Sequence, residues 1–286
     1  MVGARGTVLS EEDASRSPSN LIAADFSDDS RSTGTLGKAM SVLEIIVQSD
    51  HPLRFTDILA VANQPRGTLH RQIANLIEEG LVSVNPDQSY GAGLRLLKLA
   101  ARSWAGNTLR SVAEPHIRQL NERTGETVHL GVLDGTEVVY VDKLESKRNV
   151  RMHSQVGNAS PLYCTGVGKA MLALLPKDEC ARLVGSIEFV RHTEHTLFTP
   201  ELLLNDIAAI RESGISYDRE EHEPGIKCVA AGILHSKSAT IAGISVTAPA
   251  FRIEEGTLAN WETWVLETAL AIESDLEDQL GPRSGE

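Results

Sequence analysis

No stretch of this 286-residue chain approaches the roughly 20 consecutive apolar residues of a membrane span, so no association with a membrane is expected. A secretory leader is not expected either, since Leu21-Ile22-Ala23-Ala24 is too short for a signal core and follows acidic residues. Cysteine is scarce: Cys164, Cys180 and Cys228 form an odd, widely spaced set that suits reduced thiols in a cytoplasmic protein. No CxxC pair or Cys/His spacing suggests structural zinc, so neither a metal nor another cofactor is expected. An excess of basic residues is also lacking. Lys and Arg number 27 against 39 Asp and Glu, a net charge of −12, which argues against indiscriminate coating of nucleic acid. What remains is a soluble globular composition, 41% hydrophobic and 23% charged, at a length that suggests two domains.

The most informative stretch is Pro65–Val82, PRGTLHRQIANLIEEGLV. Leu69, Ile73, Leu76 and Ile77 fall at i, i+4, i+7 and i+8, one apolar face of a helix. Pro65 suits the first turn, where its missing N–H has no partner, and Gly80 suits the left-handed residue that ends the helix. The outward face carries Arg66, Thr68, His70, Arg71 and Asn75, side chains able to touch phosphate oxygens or base edges in a major groove. A shorter helix starts at Phe55 with Thr56 as its expected N-cap, and it ends near Asn63. Downstream, Leu81–Val84, the turn-rich Asn85-Pro86-Asp87-Gln88 and Ser89-Tyr90 read as a hairpin. Helix, turn, helix and β-wing make a winged helix-turn-helix, although the periodicity alone fits any amphipathic helix. Charge in Thr35–Ala100 is near balance, with Glu78 and Glu79 at the far end of the helix from Arg66 and Arg71. Binding to double-stranded DNA should therefore be selective, salt-sensitive and dependent on two copies.

In chain order, residues 1–34 read as a disordered arm, 35–93 as the winged helix-turn-helix, 94–106 as a linker helix and 107–281 as an α/β domain. The linker helix is unusually apolar and is expected to pack against its copy in a dimer. Leu109–Arg123 is helical. Thr127–Leu133 and Glu137–Leu144 form a hairpin about Asp134-Gly135. Val150–His153 and Pro161–Cys164 are expected strands, then Thr165–Leu175, Lys177–Val184 and Glu201–Ser213 expected helices. Ile215–Asp218, Ile226–Leu234 and Thr240–Thr247 are extended, and Leu258–Leu280 is a final long helix.

Three ordered segments carry a resemblance: GTLHRQIANLIEEGLV after a short helix, TGVGKAMLALLP at Thr165–Pro176, and DREEHEPGIKCVAAGI at Asp218–Ile233. From Thr35 to Leu280 the chain resembles an IclR-type transcriptional regulator. The resemblance implies a two-domain α/β protein, an N-terminal winged helix-turn-helix followed by a GAF-like α/β effector-binding domain. It also implies a homodimer or dimer of dimers that represses or activates a small-molecule catabolic operon in response to a small organic effector. Two positions depart from the family pattern. Gly67 stands where Ser is usual, which removes a hydroxyl and loosens the helix start. Gly232 stands where Pro follows Ala-Ala, so the strand path beyond it is open to change.

Gly166-Val167-Gly168-Lys169 precedes a helix, where free N–H groups suit a carboxylate or another oxygen-rich group. It is not a Walker loop, since Tyr163 and Ala170 occupy positions where that loop needs Gly and Ser or Thr. By resemblance Gly166 and Val167 border the effector cavity, and Asp218, Cys228, Ser245 and Thr247 face it. Asp218 suits hydrogen bonding and Cys228 a polarizable wall, while Ser245 and Thr247, two apart on a strand, share a face. Met152 and Ile226 supply an apolar side. Asn149 stands where an apolar wall residue is expected, pointing to a polar ligand, and His129 on the first strand joins the set. The plainer readings are a tight turn, a loop-capping Asp and a core Cys.

An enzyme is the alternative: a hydrolase with an appended nucleic-acid-binding head, using Cys164 or Cys228 with His129, His153 or His235. No nucleophile signature surrounds either cysteine, and His192-Thr193-Glu194-His195 lacks the helical HExxH arrangement and a third metal ligand. No catalytic residue is expected. A purely structural dimerisation module would bind neither DNA nor ligand.

Overall fold

The computed structural model describes residues 34–148, 154–235, 240–254 and 256–279. The chain divides into two compact units between Ser103 and Trp104. The expected arm up to residue 33, the expected strand Val150–His153, the candidates Asn149 and Met152, and Leu280 lie outside the described residues.

The first unit runs α1 (Gly34–Gln48), α2 (Phe55–Val61), α3 (Arg66–Glu78), β1 (Val82–Val84), β2 (Tyr90–Ala92) and most of α4 (Leu94–Ala105). Its core joins Val42, Leu43, Ile45 and Ile46 of α1 to Ile58 of α2 and to Leu69, Ile73 and Leu76 of α3, with Leu53 and Val82. A 13-residue helix is marginal alone in water. The burial of these side chains, worth roughly 1.5–3 kcal/mol each, is what holds α3 in place. Ile77 sits at the rim, 36% exposed, while Gln72 is buried instead.

Two end assignments differ from the sequence expectation. Thr56 does not cap α2: the N-cap is Arg54, and Asp57 at N3 accepts the Arg54 backbone N–H at 2.8 Å. Thr56 lies inside the first turn, past the position from which a side chain can cap. Pro65 is the N-cap of α3 rather than its first residue, with φ −60° and ψ 138°. Gly80 ends the helix at φ +69°, as the pattern requires.

The second unit follows α5 (Thr108–Thr124), β3 (Thr127–Asp134), β4 (Glu137–Leu144), β5 (Ala159–Pro161), α6 (Gly166–Leu174), α7 (Lys177–Val184), α8 (Pro200–Ser213), β6 (Ser216–Arg219), β7 (Ile226–His235), β8 (Thr240–Pro249) and α9 (Thr257–Gln279). The six strands form one antiparallel sheet in the order β5-β4-β3-β8-β7-β6. The period of two sorts its faces. Val128, Leu130, Val229, Ala231, Ile244 and Val246 turn toward α5 and α9, where Trp261, Val265, Ala269, Ile272 and Leu276 keep helical spacing. His129, Cys228, Ala230, Ser245 and Thr247 take the opposite face.

Pro161–Cys164 is not a strand. β5 ends at Pro161, and Leu162, Tyr163 and Cys164 form a turn. All three are buried, so no alternation exists to support a pleat. The turn is held by α6, because a Cβ at Gly168 would lie 2.3 Å from the Leu162 carbonyl oxygen. At Gly232 β7 continues without a break, paired with Gly243. A Cβ there would lie 2.6 Å from Leu174 Cδ1, so glycine lets α6 rest on the sheet. Arg211 of α8 secures the other end of α6, donating to the carbonyls of Ala173 at 3.0 Å and Leu175 at 2.8 Å.

Candidate functional site

Each unit carries one candidate site. On α3, Arg66, His70, Arg71 and Asn75 are exposed and Thr68 is half-buried; Thr56 is exposed on α2. The Arg66 guanidinium sits 5.2 Å from the centroid of the Phe55 ring, and the His70 ring packs at 6.0 Å from the same ring. Phe55 thus orders two of the side chains proposed to meet DNA. Among the described residues no carboxylate pairs with Arg66 or Arg71, whereas Glu79, at the far end of the helix, is bound by Arg95. Two arginines without a partner carboxylate among the described residues therefore stand on the exposed face of α3.

The second site is a cavity of about 240 Å³ between the sheet and the start of α6. Strand register builds its wall. Asp218, Cys228 and Thr247 are successive partners across β6, β7 and β8, while Ser245 pairs with His129 of β3. These five, with Gly166, Val167 and Ile226, line the cavity, so eight candidates from five separate segments meet. Tyr140 of β4 completes the sheet side, and Ser154, Asn158 and Ser160 enter from the segment before α6. Thr165 caps α6, its hydroxyl accepting the Gly168 N–H at 3.2 Å. Gly166 must be glycine, because a Cβ would lie 2.5 Å from the Cys228 sulfur. The tight turn and the cavity lining are one feature.

Burial sets the protonation of several lining groups. Burial, reinforced by the Lys143 charge, lowers His129 to about 3, so its ring is uncharged. That ring bonds Ser154 Oγ through Nε2 at 2.7 Å and Thr247 Oγ1 through Nδ1 at 3.3 Å. Burial raises Asp218 to about 7, although its Oδ1 accepts the Glu221 N–H at 2.7 Å. Burial, with the Asp218 carboxylate nearby, pushes the Cys228 thiol up to about 12, the reverse of what a nucleophilic cysteine needs. Lys169, fully buried, turns to Glu221, with Nζ 2.6 and 2.7 Å from its two oxygens, and to Asp206 at 2.8 Å. It anchors the loop between β6 and β7, whose His222 and Glu223 also line the cavity.

Sequence reasoning missed several of these residues. Tyr140 was reachable from the hairpin register, since it pairs with Gly131 two places beyond His129. Thr165 carried an N-cap signal. Ser154, Asn158 and Ser160 come from a segment with no periodicity, and nothing in the spacing marks them.

The model of the C-terminal domain of bacterial IclR transcriptional regulators matches residues 102–274, and that of the IclR helix-turn-helix domain residues 35–86. The chain belongs to the IclR family. It is a DNA-binding transcriptional regulator with an N-terminal helix-turn-helix and a C-terminal effector domain. Similar proteins include the HTH-type transcriptional regulator XynR of Escherichia coli, 30% identical over 82% of this chain and 94% of that protein. The transcriptional repressor IclR of E. coli is 29% identical over 83% and 88%. An IclR homolog of Microbacterium hydrocarbonoxydans, crystallised with 4-hydroxybenzoate, matches with a TM-score of 0.69 at 26% identity, over 85% of this chain and 99% of that one. No helix among the described residues is long and apolar enough to cross a membrane.

Proposed function

We propose that the chain is a cytoplasmic repressor whose cavity takes a small oxygen-bearing organic acid and whose α3 helices read operator DNA in pairs. The observation that carries the effector class is the convergence of Asp218, His129, Ser245, Thr247 and the first turn of α6 on one small cavity. Hydroxyls and helix-start amides donate to oxygen, and the uncharged His129 ring holds the Ser154 and Thr247 hydroxyls in place. An Asp near pKa 7 donates too when a ligand carboxylate keeps it protonated. Tyr140 and Ile226 give a flat or apolar body something to rest on. A relative crystallised with 4-hydroxybenzoate supports the same class. The buried, fully protonated Cys228 argues against the hydrolase alternative.

Pairing follows from α4. None of its residues is buried, and Leu94 and Leu97, three apart on one face, are 75% and 67% exposed, which suits a second copy. Two copies of α3 held about 34 Å apart would meet successive major grooves, and effector binding acts by changing that spacing. On α3, Arg71 and Thr68, with Thr56 of α2, position the helix on phosphates, while Arg66, His70 and Asn75 face base edges. The test is Arg71→Ala, assayed on a duplex selected from a random pool. DNA affinity should fall about tenfold and the salt slope by about one, with effector affinity unchanged. Undiminished DNA binding would remove α3 as the reading helix.

A further inference from the structure

At the edge of the cavity, whose lining includes His222 but neither Cys164 nor His192, three side chains from three separate segments come together. Cys164 lies in the turn before α6, His192 in the segment between α7 and α8, and His222 in the loop between β6 and β7. One ligand atom of each, sulfur or ring nitrogen, lies within 4.8 Å of the others. We propose that Cys164, His192 and His222 form a binding site for a borderline transition-metal cation of the zinc class.

The donor set suits that ion. One thiolate and two imidazoles are the ligands zinc selects, and three protein ligands leave a fourth tetrahedral position for a water or ligand oxygen. The two histidines are brought together by hydrogen bonds between their segments. Thr193 Oγ1 donates to the Glu220 carbonyl at 2.7 Å, and Thr196 Oγ1 donates to the Glu221 carbonyl at 2.7 Å. Tyr163, next to Cys164, ties the third segment in. Its hydroxyl donates to the Val190 carbonyl at 2.8 Å and accepts the Val190 N–H at 3.0 Å. Having given its only proton, that hydroxyl meets His192 Nε2, 3.0 Å away, as an acceptor. The imidazole N–H is thereby placed on Nε2, and Nδ1 carries the lone pair. A metal-bound histidine is oriented in this way, by its second nitrogen donating to an outer partner.

Charge and access agree. Asp218 and Glu221 act on Cys164 as negative neighbours, with Lys169 a smaller opposing influence, so the surroundings favour a cation. His222 is half-buried, on the loop that Lys169 anchors through Glu221. Cys164 is buried and its thiol is pushed upward by the same burial, so the cation must displace a proton. The S–H bond breaks as the sulfur–metal bond forms, and one proton passes to solvent. His192 is exposed and marks the entry side. His222 is shared with the effector cavity, but the test does not depend on the effector reading, because metal binding is measured on the protein alone.

Titration of the full-length, metal-stripped, reduced protein with Co2+ tests it. About one Co2+ per chain should bind with sulfur-to-cobalt charge-transfer absorption and tetrahedral d–d bands, displaced by about one equivalent of Zn2+. Cys164→Ser should abolish the charge-transfer band, and Cys180→Ser should leave it intact. His192→Gln, at an exposed position, should weaken zinc binding by more than about tenfold, and Tyr163→Phe by about tenfold. A wild-type protein without the charge-transfer band overturns the proposal, as does a band that survives Cys164→Ser. If Cys164→Ser does not fold, unchanged zinc affinity in His192→Gln overturns it equally.

Discussion

At Gly67, in the first turn of α3, an added Cβ would have nothing within 4 Å; at Gly168, in the first turn of α6, it would lie 2.3 Å from the Leu162 carbonyl oxygen. Both helices begin with glycine beside a basic residue, Arg66 in one and Lys169 in the other. In α3 that turn is solvent-facing, its arginine without a partner acid among the described residues. In α6 the turn is enclosed, its lysine buried against Glu221 and Asp206. Free amides at a helix start are a common resource for binding oxygen. Packing decides whether that resource opens to solvent, as in α3, or into an enclosed cavity, as in α6.

The contrast can be broken most forcefully at Gly168. Gly168→Ala sets a methyl against backbone rather than against a movable side chain, and it should cost about 3 kcal/mol in urea unfolding. A neutral effect would mean that α6 is not seated as described. Next in size is the cavity's proton. Asp218 is raised to about 7, so a carboxylate ligand binds best below that pH, where Asp218 donates, and weakens as pH rises through 7. Calorimetry with a small carboxylate that binds at pH 6 should show affinity about tenfold lower at pH 8. Asp218→Asn should flatten that profile, and a flat wild-type profile would refute the role. Smallest is Gly67→Ala, which meets open space. It should stabilise the protein by about 0.5–1 kcal/mol in thermal unfolding, and a loss would mean that Gly67 is less open than its surroundings show.

Legibility followed the same divide. Leu69, Ile73 and Leu76 repeat at helical spacing, so a one-dimensional pattern was enough to place the outward face of α3. The ends were less legible. Thr56 and Pro65 both suit a helix start, but α2 begins one residue before Thr56, with Asp57 at N3 accepting the Arg54 N–H, and α3 begins one residue after Pro65. In the effector unit, Ser245 and Thr247 share a face by strand alternation alone, but nothing local says that Asp218 stands opposite Cys228 or that His129 stands opposite Ser245. Those are register facts, set by which strands pair. Pro161–Cys164 misled because a short apolar run reads as a strand, when three consecutive buried side chains were instead wrapped around the start of α6. Asp218, Gly166 and Cys228 entered the candidate set through likeness to a family, which carries tertiary information that periodicity does not.

Hydrophobic spacing along the chain determined the reading head, the order of helices and strands, and the face each element buries, because these depend on neighbours three or four residues apart. The protonation of Asp218, the seating of Lys169 away from the cavity, and the meeting of Cys164 with His192 and His222 were decided only when distant segments packed together. Each depends on burial and on charges from other elements, and no short stretch of sequence contains its own dielectric surroundings.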